Sequence, residues 1–386
     1  MKNIMILCGF FLCVQACGIL TDKKKSIDYL EVLPLSGNKE ISFQKKEYKI
    51  KWGDSISYTK RGYDIVNINN EPYLVALNEN NGDLIGFNIN SQELVFKIPK
   101  TTLPISRTNG EVSSVHVHNF DSIFIIQTYQ FHLIDTSGIV KHQADINKGD
   151  DKYAFGNIHS DFPVFYDNKT DKLYTQTYYW KRKQHDRLYY TSPIESSINV
   201  STNDIERLPV YYSKLYQKYY YGYANHVYRS FTDSLNIYTF PVDPNIYVYN
   251  RYAGNYKVIG GKSKYQRQPV RTLSRKQKDD DKTKINHFST IPFYYKVHYN
   301  PFQNYYYRFF SPALPQKNEE GLFNKYSDRE HILMIFDEQF RLIDEIELEE
   351  KYQVLFTFCT SEGLHVNRVN EQKEQGLYTI FKIDIQ

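Results

Sequence analysis

Residues 122–143 read SIFIIQTYQFHLIDTSGIVKHQ, and they carry the clearest sequence signal for the fold. It contains three short apolar runs, Ser122–Gln127, Phe131–Asp135 and Ile139–Gln143, which are separated by turns. Short runs of β-branched and aromatic residues between turns predict antiparallel strands. The second run ends on Asp135, whose side chain can bond its own backbone and open a turn. The stretch therefore predicts an approach strand, a strand that ends on an Asp or Asn anchor, and a return strand.

The same layout recurs along the chain. The anchors are residues 90, 135, 250 and 337. Successive anchors lie 45, 115 and 87 residues apart, and the middle gap holds two units if a degenerate one lies around Leu188–Ile194. A degenerate repeat built from strands alone is typical of β-propellers. We therefore predict an all-β chain with a single β-propeller of about six blades. The alternative is two β-sandwich domains that divide near residues 262–284.

A propeller must close its ring, commonly by pairing strands from both ends of the chain in one blade. Ile41–Phe43 and Glu47–Trp52 are candidates for the closing strand, and Val354–Thr360, Leu364–Arg368 and Leu377–Asp384 would supply most of the last blade. The composition agrees, because 36 Tyr and 24 Phe against 3 Met favour strands. No long, capped segment with helical periodicity stands out.

The N-terminal residues MKNIMILCGFFLCVQAC predict a secreted lipoprotein. Lys2 precedes the apolar run Ile4–Val14, which is too short to cross a hydrocarbon core of about 30 Å. The ending Val14-Gln15-Ala16-Cys17 resembles a bacterial lipobox, after which Cys17 carries the lipid. Ordinary secretion with a chance cysteine is the alternative. The chain then divides into a signal peptide (1–16), a lipid-anchored tether (17–37) and the propeller domain (38–386).

This division also accounts for the cysteines. Cys8 and Cys13 fall in the signal peptide and Cys17 is lipidated, so only Cys359 remains and no intramolecular disulfide can form. Cys359 lies in the apolar run VLFTFCT, which predicts a buried and inert strand thiol rather than a nucleophile.

Charge is nearly balanced overall but uneven along the chain. The formal net charge of +4 is small for 48 Lys and Arg against 44 Asp and Glu, and it does not indicate nucleic-acid binding. Residues 262–284, hereafter the basic segment, hold nine Lys and Arg against three Asp. Such a run predicts a solvated loop, with contact to phosphate, lipopolysaccharide or lipid headgroups as the alternative. Asp279–Asp281 lacks the ligand spacing of a calcium loop and should offset the neighbouring cations.

No catalytic motif is present. The sequence lacks a nucleophile elbow, a phosphate-binding glycine loop, a His-Glu-x-x-His motif and a paired Cys-x-x-Cys. His116 and His118 stand two apart in VHVHNF, which on a strand places both on one face, but a metal site needs a third ligand. We therefore predict no catalytic residue, no metal site and no cofactor, and expect a structural role for the two histidines.

Aromatic clusters are the stronger candidates for recognition. On a strand, adjacent residues point to opposite faces, so each cluster would place one ring in the core and one at the surface. A surface ring could stack on a sugar or contact a peptide, whereas simple packing needs no ligand. The clusters are Tyr178–Trp180, Tyr211–Tyr212, Tyr219–Tyr221 with Tyr223, and Tyr305–Tyr307.

Three further segments carry a family resemblance. They are HYNPFQNYYYRFF (298–310), HILMIFDEQFRLIDEIEL (331–348) and GLHVNRVNEQKEQGLYTIFKIDI (363–385). Together with the lipobox and the chain length, they resemble the Bacteroidota lipoproteins catalogued as domain of unknown function 4221. That family is similar to six-bladed, TolB-like propellers. The resemblance implies a propeller in the cell envelope and brings no catalytic residues.

These observations favour a non-enzymatic binding or docking module of unknown ligand. We expect a monomer, held to the membrane by its N-terminal lipid, with an envelope protein or glycan as partner. Gly18 after the lipidated cysteine fits the outer membrane, and Lys23–Lys25 favours its periplasmic face over the cell surface. The alternative is an envelope glycan hydrolase or lyase with its site at the propeller channel. A polar funnel would favour the enzyme, and an apolar plug would favour docking.

Overall fold

The computed structural model describes residues 30–33, 41–51, 58–78, 80–105, 112–127, 129–146, 153–155, 162–179, 181–369 and 375–385. Strands of the described residues form six antiparallel sheets. Blade 1 contains β2 (Tyr58–Ile68), β3 (Glu71–Asn78), β4 (Leu84–Asn88) and β5 (Glu93–Ile98); blade 2 contains β6 (Val112–Asn119), β7 (Ser122–Gln127), β8 (Gln130–Ile134) and β9 (Val140–Asp145). Blade 3 contains β10 (Tyr153–Phe155), β11 (Phe165–Asp167), β12 (Lys172–Tyr179), β13 (Glu195–Asn199) and β14 (Ile205–Arg207); blade 4 contains β15 (Tyr228–Phe231), β16 (Leu235–Phe240), β17 (Asp243–Asn250) and β18 (Asn255–Ile259). Blade 5 contains β19 (Phe293–Asn300), β20 (Tyr305–Ser311), β21 (His331–Phe336) and β22 (Leu342–Leu348); blade 6 contains β23 (Tyr352–Thr360), β24 (Gly363–Arg368), β25 (Gln375–Ile385) and β1 (Ile41–Lys51).

The first strands of successive blades contact one another, as β2 does β6 and β19 does β23, and so form a central ring. In blade 3 this inner strand is divided into β10 and β11, which both pair with β12. The predicted six-bladed propeller is therefore confirmed. The alternative of two β-sandwiches is wrong, because the six sheets succeed one another around a ring instead of packing as two face-to-face pairs.

The ring closes as the sequence predicts. β1 is the outer strand of blade 6 and pairs antiparallel with β25 from Ile41–Ile385 to Lys51–Gln375. The Phe43 ring stacks on Phe381 with centroids 5.1 Å apart, so the closing strand also packs against the core. Of the predicted closing residues, Trp52 lies outside the described part of the chain.

The anchors lie between the third and fourth strands of the blades. Asp135, Asn250 and Asp337 each accept two backbone N–H bonds through Oδ1, as predicted. The anchor predicted at residue 90 is wrong by two positions: Asn88 accepts from the backbone of residues 90 and 91, while the Asn90 side chain bonds Glu71.

The degenerate unit around Leu188–Ile194 is also wrong. Most of these residues belong to a 3₁₀ helix, Arg187–Thr191, and to the segment that follows it. Asp186 caps the start of this helix by accepting from the Leu188 N–H. The anchor of blade 3 is Asn199, which accepts from the Thr202 N–H at 2.8 Å.

Antiparallel order gives the propeller two different faces. The turns between first and second strands and between third and fourth strands share one side, which we call the turn face. The other connections share the opposite side, which we call the insertion face because it carries the longer segments. These segments are 181–194, 208–227, 260–292 and 312–330.

The insertions contain two short α-helices, α1 (Lys214–Lys218) and α2 (Asp281–Thr290). The basic segment is therefore not a plain loop: it includes the 3₁₀ turn Arg275–Gln277 and the start of α2. Asp280 causes the helix to begin here, because its carboxylate accepts from the Thr283 N–H at 3.0 Å. Asp281 pairs with Lys284 at 2.6 Å, which is the charge compensation predicted for these aspartates.

The middle strands of the blades are covered on both faces by neighbouring blades. Tyr306 and Tyr307 of β20 show the consequence, because these adjacent rings are both buried and pack into two different core clusters. The prediction of one buried and one exposed ring is therefore wrong for this cluster. It holds for Tyr211, which is exposed, and Tyr212, which is buried.

Candidate functional site

A cavity of about 400 Å³ occupies the turn-face end of the central channel. The inner strands of all six blades contribute to its wall. Polar side chains line much of this cavity, including those of Asp64, Asn67, His116, His118, Asp233, Lys296, His298 and Tyr299. The ring architecture thus brings together side chains from all six blades, which lie far apart in the sequence.

His116 and Asp64 form the best-ordered polar pair in the cavity wall. The His116 Nδ1 lies 3.0 Å from the Asp64 Oδ2, which also accepts from the Val117 N–H at 3.0 Å. The carboxylate therefore orients the imidazole by accepting from Nδ1 and turns Nε2 away from Asp64. His116 is 4% exposed, and among the described residues its Nε2 has no hydrogen-bond partner.

A second imidazole stands on the other side of the channel. His298 belongs to blade 5, which is opposite blade 2 in a ring of six, and its side chain is 7% exposed. Its Nε2 is also buried and has no hydrogen-bond partner in the part of the chain that the structure describes. Burial and the nearby Lys296 hold the pKa of His298 well below its usual value, so this ring is neutral at pH 7.

His118 lies on the same face of β6 as His116, as predicted, because both rings contact blade 3. The structure also places both histidines in the wall of the cavity. Burial lowers its pKa, and the neighbouring His116 lowers it further. The described residues contain no group of three or more His, Cys, Asp or Glu side chains that could hold a metal ion.

Aromatic rings supply the apolar part of the wall. The Phe165 and Phe231 centroids are 4.2 Å apart, and the His116 ring lies about 6 Å from both. The Arg251 guanidinium lies 4.4 Å from the Phe165 centroid and pairs with Asp167 at 3.8 Å. These contacts hold Phe165 in place at the cavity wall.

The opposite end of the channel is packed differently. At the insertion face, Tyr228, Phe293 and Tyr352 from the inner strands belong to one large apolar cluster with Tyr216 and Tyr221 of the insertions. The sequence left a polar funnel and an apolar plug as alternatives. The channel contains both, with the polar cavity at the turn-face end and the apolar packing at the insertion-face end.

The other predicted residues lie as follows. Cys359 is in β23 and borders the cavity; it is a free, buried thiol whose pKa is raised by burial, which agrees with the inert thiol predicted. Cys17 lies outside the described residues, as does Trp180. Tyr223 is exposed and donates to Asp281 at 2.7 Å, beside the basic segment and away from the channel.

Sequence reasoning missed Asp64 and His298. A signal for Asp64 does exist, because Asp64 and His116 each precede by three residues an asparagine near the end of an inner strand, whereas His298 lacks this spacing. That spacing becomes informative only once both segments are known to be inner strands of one ring.

The sheet order and the channel cavity define a six-bladed β-propeller. A family model described as domain of unknown function (DUF4221) matches residues 39–347, and the chain belongs to that family. A crystal structure of a DUF4221 member from Bacteroides vulgatus is 18% identical, with a TM-score of 0.72 over 90% of this chain and 99% of that one. A putative exported protein from Bacteroides fragilis is 11% identical, with a TM-score of 0.48 over 89% and 95% of the two chains.

No match is found among proteins with curated functions. Within the described residues, no helix is both long and apolar enough to cross a bilayer.

Proposed function

We propose that this protein is a lipid-anchored cell-envelope propeller that binds a small hydroxylated ligand, such as the end of a glycan, in the channel cavity. The observation that carries the proposal is the pair of buried histidines, His116 and His298, which line the cavity from opposite blades and whose Nε2 atoms have no partner among the described residues. Buried polar atoms are nearly always hydrogen-bonded, so a pair without partners points to a ligand that supplies them.

The chemistry of the wall suits a saccharide. Hydroxyl groups can donate to the imidazole nitrogens, and the C–H face of a sugar can pack on Phe165 or Phe231. The cavity volume of about 400 Å³ lies within the usual range of small-molecule sites. Asn67 and Asp233, at the exposed rim, add hydrogen-bonding groups for a longer chain.

The binding proposal is tested by titrating the purified protein with neutral sugars and uronic acids in a calorimeter. We expect His116→Ala and His298→Ala each to weaken binding about tenfold, because each removes one buried hydrogen bond. His142→Ala is the matched control, since His142 lies in the outer strand β9 and contacts Asn203 at 3.2 Å. Equal affinity in all three variants would overturn a channel site.

The anchor is a separate part of the proposal. Cys17 in the lipobox supports lipidation, and Gly18 with Lys23–Lys25 supports the periplasmic face of the outer membrane. We expect Cys17→Ala to move the protein from the membrane to the soluble fraction, and protease added to intact cells to leave the wild-type protein uncut. Removal by the protease would place the protein at the cell surface.

A second candidate function is glycan hydrolysis or elimination at the same cavity. It is favoured by the Asp64–His116 pair, because a carboxylate that orients an imidazole is the arrangement of a general base. Incubation with envelope glycans and measurement of new reducing ends or unsaturated uronates tests it. Turnover that disappears in His116→Gln would establish the enzyme, whereas binding without turnover would establish the binding module.

A further inference from the structure

We propose that the insertion face docks on an anionic phospholipid bilayer through the basic segment, an inference that rests on the proposed lipid anchor for its orientation. Four structural features support it: exposed cations, an arginine-lined cavity, neighbouring exposed apolar side chains, and the position of the N-terminal segment. The channel cavity opens on the turn face, so docking would leave its mouth directed away from the membrane.

The basic segment presents exposed positive charge. Arg267, Arg271, Lys276 and Lys282 are all exposed. Two of the three aspartates are already occupied, because Asp280 caps α2 and Asp281 pairs with Lys284. Each Lys or Arg close to an anionic leaflet strengthens membrane binding, and this attraction is screened by salt.

A second cavity, of about 580 Å³, lies within this surface. Arg267 and Arg271 contribute to its wall together with the amides of Gln268, Asn286 and Gln316, and none of the described residues that line it is acidic. Guanidinium groups bind phosphate with two parallel hydrogen bonds, so the cavity suits the phosphate of a lipid headgroup.

Apolar side chains adjoin the cations. Ile285 is three residues from Lys282 on α2, so the two side chains are neighbours on the helix surface. The segment 312–330 packs on α2 through the stacked rings of Phe288 and Tyr326, 5.1 Å apart. It carries Leu322 and Phe323, which are 61% and 57% exposed. Cations beside exposed apolar groups are typical of surfaces that lie in a membrane interface.

The described part of the N-terminal segment lies beside the same region. Val32 forms a parallel bridge with Gly260, two residues before the basic segment begins. Cys17 precedes Leu30 by thirteen positions, so a lipid on Cys17 would lie within about 45 Å of Leu30 even at full extension. A lipid on Cys17 would therefore hold this side of the domain close to the bilayer.

The test uses residues 17–386 with Cys17→Ala, so that neither a lipid nor the apolar signal peptide contributes, and vesicles of phosphatidylcholine with or without phosphatidylglycerol. We expect sedimentation with the anionic vesicles only, and weaker binding at high salt. Lys276→Glu/Lys282→Glu should reduce the affinity at least tenfold. The control is the double variant Lys141→Glu/Lys169→Glu, which makes the same change of charge near the turn face, in β9 and in the turn between β11 and β12. It should bind as tightly as the Cys17→Ala protein does. Thermal melting checks that both variants are folded.

Two results would overturn the proposal: equal binding to both vesicle types, or equal affinity in the two charge-reversed variants. Failure of the lipid anchor is a different result, because it is read from the mass of the wild-type N-terminus and from cell fractionation. A protein that binds anionic vesicles but carries no lipid would retain the docking surface and refute the anchor.

Discussion

Buried arginines join neighbouring blades at the level of single residues. Arg308 of blade 5 donates to the backbone carbonyls of Asp243 and Pro244 in blade 4. Arg229 of blade 4 pairs with Glu195 of blade 3, and both side chains are fully buried. A buried cation is tolerated only when such partners replace its water. The contacts therefore fix the positions of the blades relative to one another, in addition to the apolar packing.

Buried histidine makes stability depend on pH. His331 is held neutral between the Ser311 hydroxyl at 2.9 Å and the Tyr352 carbonyl at 3.0 Å, and burial lowers its pKa to about 4. Its unfolded value is about 6.5, so between pH 6.5 and pH 4 the unfolded chain binds the proton and the folded protein does not. The stabilisation is complete above pH 6.5 and is lost as the pH falls towards 4.

We therefore expect His331 alone to lower the free energy of unfolding by about 2 kcal/mol between pH 7 and pH 5, measured by urea unfolding. His331→Gln should reduce this pH slope without abolishing it, because burial also lowers the pKa of His365, to about 3. An unchanged slope in the variant would contradict the assignment.

At the level of elements, the anchor turns determine how each blade ends. In the turn after β21, the Asp337 carboxylate accepts from the N–H groups of Gln339 and Arg341, both at 2.9 Å, and from the Arg341 side chain at 2.6 Å. Phe340 takes a left-handed φ of 60° here, which is unfavourable for its bulky side chain. Its ring stacks on Tyr306 with centroids 4.2 Å apart, and this contact offsets the strain.

Asp337→Ala should lower the free energy of unfolding by about 1–3 kcal/mol, because the partly buried backbone groups lose their acceptor. Asp135→Ala is a matched control at the equivalent turn of blade 2, where Oδ1 accepts two backbone bonds in an exposed setting, and we expect a smaller loss. Chemical denaturation of the two variants measures the difference. Equal losses would show that burial of the turn does not matter.

At the level of the whole molecule, stability depends on ring closure. β1 covers β25 along its full length and places Ile41 and Phe43 against the largest core cluster. Without β1, the backbone groups of β25 and part of the core of blade 6 would be exposed at a sheet edge. Such an edge is a template for pairing with another chain.

Deletion of residues 41–51 should therefore abolish cooperative unfolding and cause aggregation, measured by urea titration and light scattering. A peptide with the sequence ISFQKKEYKIK, added in excess, should bind the open edge and restore solubility. Deletion of residues 18–29 is the control, and we expect it to unfold as the intact protein does. A soluble, cooperative protein without residues 41–51 would show that closure is dispensable.

Much of the fold could be predicted because its signals are local. The anchors at Asp135, Asn250 and Asp337 are visible in sequence because each turn is formed by a side chain and the backbone next to it. The anchor in blade 3 escaped prediction because Asn199 lies in a polar hairpin, while the apolar stretch near Leu188 forms a helical turn instead. The helical part of the basic segment escaped for a similar reason: a single N-cap, Asp280, outweighs the loop-like composition around it.

The all-β class, the repeated blade and the closing strand follow from the sequence alone, since strand periodicity and turn chemistry act over a few residues. The site, in contrast, depends on how the blades assemble. Asp64 and His116 are 52 residues apart, and His298 comes from a third blade. No local pattern records which positions of the inner strands meet across the channel. The ring brings them together because its closure places blade 2 opposite blade 5, and all six inner strands then line one central axis.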